Sequence, residues 1–237
     1  MTSPRLMRSG ERFQTERAGI RTYHSFSFGD HYDPSNLGFG DLTAVNDERI
    51  DPSCGYDMHR HRDAEIVTWV IDGVLAHADT AGDAGTITRG SVQRMNAGDG
   101  VEHSERNASD GAGLHFIQMW LRSDRKGAPT YQQADITGAL DDGGWVLAAS
   151  GVHGDDAAID IATDGARLWA VRPSGGEGLA MPAGHLRHVH LVRGVVVVDG
   201  EHRLEPGDVL RLEDADEHTI VADSPSELLL WAMRRSS

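Results

Sequence analysis

Two short patterns in the chain could hold a metal ion. The first is His59-Arg60-His61, and the second is His103-Ser104-Glu105. On a β-strand, residues i and i+2 point to the same face, so each pattern aims two donors in one direction. If the two strands lie side by side, three imidazole nitrogens and one carboxylate oxygen converge. That donor set suits a divalent transition metal such as iron, manganese, nickel, copper or zinc. Four protein ligands on a six-coordinate ion leave about two positions for water, substrate or dioxygen. Glu65, four residues beyond His61, is a further carboxylate close in sequence. Histidines on strands also serve as ordinary hydrogen-bonded side chains, and a second His-x-His pair stands at His188 and His190. Context favours the first pair: it precedes a strand-like run ending at Asp72-Gly73, and His103 follows the punctuation Gly90, Gly98, Gly100.

The elements that must position these residues are strands. Ile66–Ile71 is a β-branched and aromatic run stopped by Asp72-Gly73, a hairpin pair. Leu114–Leu121 alternates, with Leu114, Phe116, Gln118 and Trp120 on one face. Val195–Val198 ends at Asp199-Gly200, and Leu228–Trp231 is a last apolar run. Long helical periodicity is scarce, and short helical turns are expected only near 134–140. The expected class is all-β, built from short strands as a barrel or sandwich. A weak internal repeat relates Gly73 to Gly194, Gly90 to Gly207 and His103 to His218, at offsets of 121, 117 and 115 residues. Two β modules are therefore expected, covering 1–135 and 136–237, with the polar segment 123–144 at the junction.

Composition bounds the partners. The chain has 237 residues and a formal charge of −15. So acidic a chain is a poor ligand for nucleic acid phosphates or anionic membranes, and no direct contact with either is expected. No run approaches the ~20 apolar residues of a membrane span, and the N-terminus has no apolar leader run. A single cysteine, Cys54, excludes an internal disulfide framework. A cytoplasmic location is expected.

The spacing Gly55…His59-x-His61-x3-Glu65-x7-Gly73, followed by Gly90-x5-Asn96-x-Gly98-x4-His103, resembles the paired motifs of cupins. Its departures from them point to one branch. His59–Val70, Gly73–Asp79, Val92–Val101 and His103-Ser104-Glu105 resemble the pirin family, as do His24–Phe28, Tyr32-Asp33-Pro34, Gly38-Phe39 and Val45-Asn46-Asp47 upstream. The likeness is nearly continuous from about residue 20 to 135, and the length and second module resemble bacterial pirin-like proteins of the quercetinase type.

That resemblance implies two cupin-type β-barrels (a bicupin, jelly-roll-like). The N-terminal barrel would hold one divalent metal on His59, His61, His103 and Glu105. Fe(II) is favoured, with manganese, nickel, copper, zinc or cobalt as alternatives. Glu65 would stand behind the ligands or pair with Arg62. Arg60 replaces the proline that pirins usually carry, so Met58 and Arg60 would bring bulk and charge to the site rim. The implied activity is a quercetin 2,3-dioxygenase-like oxidation, in which an aromatic or enolizable substrate such as a flavonol reacts with O2. Glu105 would act as base. The alternative is a metal- or redox-sensing regulatory protein with a protein partner and no physiological turnover.

The second module lacks the donor set. Counted back from Gly194 as His59 and His61 are from Gly73, the matching residues are Ala180 and Pro182. His218 matches His103, but Ile220 takes the place of Glu105. No metal is expected there, and His188 and His190 read as strand residues. His77, His115, His153 and His202 read the same way, and Trp120, Phe116 and Met95 read as core.

Overall fold

The computed structural model describes residues 4–123, 125–176 and 178–235. Met1, Thr2 and Ser3, on which the reading of the leader partly rests, lie outside the described residues. The first strands are β1 (Arg5–Met7), β2 (Phe13–Arg17), β3 (Ile20–His24), β4 (Leu42–Ile50), β5 (Gly55–His61) and β6 (Ala64–Asp72). They are followed by β7 (Val74–Asp79), β8 (Ala84–Thr88), β9 (Ser91–Asn96), β10 (Val101–Asn107), β11 (Leu114–Arg122) and β12 (Thr130–Asp135). After the short helix α1 (Thr137–Asp141) come β13 (Val146–Ser150), β14 (Ile159–Asp160), β15 (Arg167–Val171), β16 (Gly178–Ala180) and β17 (Leu186–Arg193). The last are β18 (Val196–Val198), β19 (His202–Leu204), β20 (Val209–Leu212), β21 (Thr219–Ala222) and β22 (Glu227–Met233).

The chain divides into two compact units. One comprises Phe13–Asp135 and Ala158–Asp164, and the other Met1–Arg12, Ile136–Ala157 and Gly165–Ser237. The exchanged segments, 1–12 and 158–164, are where this division differs from a cut after residue 135.

Each unit pairs a four-stranded antiparallel sheet with a larger one, as in a jelly-roll. In the first unit the orders are β5-β10-β7-β8 and β12-β9-β6-β11-β4-β3-β2. In the second they are β16-β21-β18-β19 and β1-β20-β17-β22-β15-β13. The sequence repeat is therefore a repeat of topology. β10 and β21, which carry or adjoin His103 and His218, hold the same place in their sheets. β1 occupies the edge that β12 occupies in the first unit, which is why the first residues belong with the second. No helix among the described residues is long and apolar enough to cross a membrane.

Local chemistry explains the turns. Asp199 and Gly200 both have positive φ, as a two-residue hairpin pair of the I′ kind requires. The face of β11 expected from alternation divides in two. Leu114 and Phe116 pack with Ile50, Val70, Leu75 and Ile87 in the apolar core. Gln118 and Trp120 continue that face into a cavity, and Trp120 also packs against the apolar cluster of Ile66, Met95, Ala97 and Val101, as its sequence context leads one to expect.

Gly55 is fixed by close approach. At φ +154°, a Cβ there would lie 2.5 Å from the Arg106 Cα and 2.5 Å from the Glu105 carbonyl oxygen. Both obstacles are backbone, so β5 and β10 would have to separate. Gly55→Ala is expected to cost about 2 kcal/mol or more, read as a lower midpoint in urea unfolding.

Candidate metal centre

β10 is the strand that gathers the site. It pairs with β5 so that His103 faces His59 and Val101 faces His61, and with β7 so that His103 faces Asp79 and Glu105 faces His77. Alternation buries His103 and Glu105 while Glu102 and Arg106 face solvent. The three imidazoles cluster, with ring centroids 4.4 Å apart for His59–His103, 4.9 Å for His61–His103 and 4.8 Å for His59–His61. One nitrogen of each lies within 4.8 Å of the others.

Their protonation suits metal binding. The His59 Nδ1–H donates to the Asp57 carbonyl at 2.7 Å, so Nε2 keeps its lone pair. Burial, then the neighbouring His59, His61 and His77 rings, push His103 down to about 2. Burial and His59 push His61 down to about 4. Both are neutral at pH 7. His103 is 1% exposed, yet neither ring nitrogen has a hydrogen-bond partner. An imidazole buried in that state is costly unless something accepts its lone pair. A divalent cation does, and in this respect the residues fit a metal.

Glu105 lies beyond His103. Gln118 Nε2–H donates to its two oxygens at 2.9 and 2.8 Å. The Trp120 indole N–H donates to Gln118 Oε1 at 2.9 Å, which fixes the amide orientation. Burial raises Glu105 to about 7, with Gln118 opposing. The four expected ligands do not form one tight cluster. His59, His61 and His103 make one group, and His77, His103 and Glu105 make another, with His103 common to both. His77, read from sequence as an ordinary strand residue, is buried, donates Nε2–H to Asp79 at 3.2 Å and lies 5.3 Å from the His103 ring. The signal that marks it is its place two residues before Asp79, on the strand after Asp72-Gly73. A cavity of about 190 Å³ reaches His59, His61 and Glu105, and Trp120, Glu48 and Tyr56 also line it. Sequence reasoning had singled out none of Gln118, Glu48 and Tyr56 for the site.

Two expectations are corrected. Glu65 touches none of the expected ligands, and its charged neighbour is Arg94, at 3.6 Å. Arg62 pairs with Asp63 instead, at 2.9 Å. The reason is β6's own alternation: Ile66 and Val70 join the apolar clusters, so Glu65 points the other way, to Asn96 and Thr163. Arg60 and Met58 are exposed, and Arg60 lies over Gly100. On β5 they alternate with His59 and His61, which turns them away from the imidazoles.

In the second unit His218 has both ring nitrogens engaged, by Asp199 at 2.6 Å and Asp214 at 2.8 Å. This is the opposite state from His103. His188 and His190 are buried within β17, and burial pushes His188 well below its ordinary value.

Known proteins resemble this chain along most of its length. Residues 7–121 match the family model described as Pirin, and residues 145–233 that of the quercetinase C-terminal cupin domain. A Mycobacterium tuberculosis protein provisionally named quercetin 2,3-dioxygenase is 42% identical, over 96% of this chain and 94% of its own. The Escherichia coli quercetin 2,3-dioxygenase is 31% identical, over 95% and 96%. Among solved structures, the Escherichia coli bacterial pirin YhhW in complex with nickel(II) superposes with a TM-score of 0.88 at 31% identity, covering 98% of this chain and 99% of that one.

Proposed function

The chain belongs to the pirin family, with two cupin domains, and from that premise we propose that its first unit is a quercetinase-like dioxygenase. His59, His61, His103 and Glu105 would hold one divalent transition metal, Fe(II) by family likeness. The nickel(II) complex of the Escherichia coli relative supports a divalent ion of this class. The observation that carries the reading is His103, buried with both ring nitrogens unpartnered beside two further imidazoles.

When bound, the metal supplies a Lewis acid that lowers the pKa of a flavonol hydroxyl. The chain's own residues do the rest. The cavity admits a flat substrate beside the histidines, and Phe28 and Trp120 give it apolar walls. Gln118, aimed by Trp120, holds the Glu105 carboxylate in place. As a ligand, Glu105 is not the pocket's free base. The deprotonated flavonol is electron-rich and reacts with O2, opening its central ring and releasing carbon monoxide. A cytoplasmic setting suits an acidic protein with one cysteine. The alternative, a metal-sensing regulator, needs no cavity at the histidines, and the cavity of about 190 Å³ favours the enzyme.

Protein purified without chelator is expected to carry about one transition metal per chain and to consume quercetin aerobically with release of carbon monoxide. No turnover with Fe(II), Ni(II) or Mn(II) loaded would overturn the dioxygenase reading and leave the regulator.

A pH signature accompanies it. Burial holds the Glu105 proton up to about pH 7, whereas His61 and His103 are neutral well below that. A metal taking Glu105 must displace its proton at pH 5.5 and finds it already gone above pH 8. Calorimetry in buffers of different ionisation enthalpy is expected to show more protons released at the lower pH than at the higher, with affinity rising between them.

A further inference from the structure

Glu48 is a second buried carboxyl facing the same pocket, and it belongs to neither group of donors. It sits on β4 opposite Thr22 of β3 and Phe116 of β11. Its Oε2 accepts the Thr22 hydroxyl at 2.5 Å and the Tyr56 hydroxyl at 2.9 Å. It also lines a second cavity, of about 240 Å³, which shares Phe28, Glu48 and Tyr56 with the metal pocket. Glu48 is thus placed between the two cavities, with one oxygen held by two hydroxyls and the carboxyl within reach of both spaces.

We propose that Glu48 is the catalytic base, taking the proton of an enol or phenol hydroxyl presented in the metal pocket; the inference rests on the dioxygenase reading above. In the step, the substrate O–H bond breaks, an O–H bond forms on Glu48, and the electron pair stays on the substrate oxygen. Glu48 is reset by giving the proton to water in the larger cavity.

The charged and titratable groups around it are compatible with this. Tyr56 is pushed above its ordinary value by burial and by Glu48, so it remains a hydrogen-bond donor. Glu105 and Asp47 add negative charge, and His24, Arg17 and Asp30 line the larger cavity. Burial raises Glu48 to about 7 against the two hydroxyls, which suits a base working near neutrality.

The test is an anaerobic titration of quercetin into metal-loaded protein, following the long-wavelength band of the deprotonated flavonol against pH. Wild type, Glu48→Gln and Glu48→Asp are compared, each with its metal content and thermal midpoint. In Glu48→Gln the midpoint for flavonol deprotonation is expected to rise by about one pH unit or more, and kcat to fall about 100-fold with KM within a few-fold. Metal content should match wild type, and Glu48→Asp should recover part of the effect. A Glu48→Gln titration coincident with wild type would overturn the proposal while leaving the dioxygenase reading intact. Failure of loaded wild-type protein to bind quercetin would overturn both.

Discussion

His103→Ala is expected to empty the metal site while leaving the barrel folded. Metal per chain should fall from about one to near zero, and quercetin turnover should fall with it. Among the described residues no other side chain has this leverage, because His103 is the member common to both donor groups, one with His59 and His61 and one with His77 and Glu105. Removing it leaves β5 with two donors and places the Glu105 carboxylate beyond a gap. The protein itself should tolerate the change. His103 makes no hydrogen bond that its loss would break, and it is buried as a neutral ring with unpartnered nitrogens. The lost packing and the relieved polar burial oppose one another, so the unfolding midpoint of the metal-free variant should lie within about 1–2 kcal/mol of metal-free wild type. Elemental analysis with urea unfolding of both metal-free forms separates the two effects. Full metal retention in His103→Ala would remove the ligand assignment, and collapse of the metal-free variant would make His103 structural.

The clustering of His59, His61 and His103 was legible because period-2 geometry is local: i and i+2 share a face whatever the rest of the chain does. Family and fold were legible for a related reason, since turn pairs such as Asp72-Gly73 and Asp199-Gly200 sit in the chain where the hairpins close. What could not be read depends on register between distant strands. His77 enters the site only because β7 pairs β10 with Glu105 opposite it. Gln118 and Glu48 come from β11 and β4, neighbours across 68 and 72 residues of sequence at the paired positions Phe116–Glu48 and Gln118–Asn46. A motif search passes over them, because each looks like an ordinary strand residue until the sheet is assembled. The same limit explains β1, whose three residues give no hint that their partner is β20. Arg60 shows the converse: its neighbours in sequence are His59 and His61, but alternation alone sends it to the other face.

Glu65→Ala is expected to be the most destabilising single substitution considered, at about 3–5 kcal/mol. Glu65 is fully buried, and its two oxygens do different work. Oε2 accepts the Ala162 N–H at 2.6 Å, the Thr163 N–H at 3.0 Å and the Thr163 hydroxyl at 3.1 Å. Oε1 accepts the Asn96 amide at 3.2 Å and stands 3.6 Å from Arg94 Nε. This carboxylate is what ties segment 158–164 into the first unit. Truncation strands two backbone donors and an amide N–H and removes the anion beside a buried guanidinium, while the Thr163 hydroxyl keeps the Arg122 carbonyl at 2.8 Å. Leaving such groups unpaired costs more than the bonds themselves contribute. Glu65→Gln should be intermediate: its oxygen can keep the three donors on the Oε2 side, but its amino group then faces Asn96 and Arg94, donor against donor. Urea unfolding should therefore rank wild type above Glu65→Gln above Glu65→Ala, and proteolysis within 158–164 should rise in the same order. Metal content per folded chain decides between two kinds of glutamate in one barrel. If Glu65 acts only as a clamp, the variants bind metal as wild type does for as long as they are folded. If metal is lost while the unfolding midpoint holds, Glu65 acts on the metal, and its place on the opposite face of β6 does not separate it from the histidines.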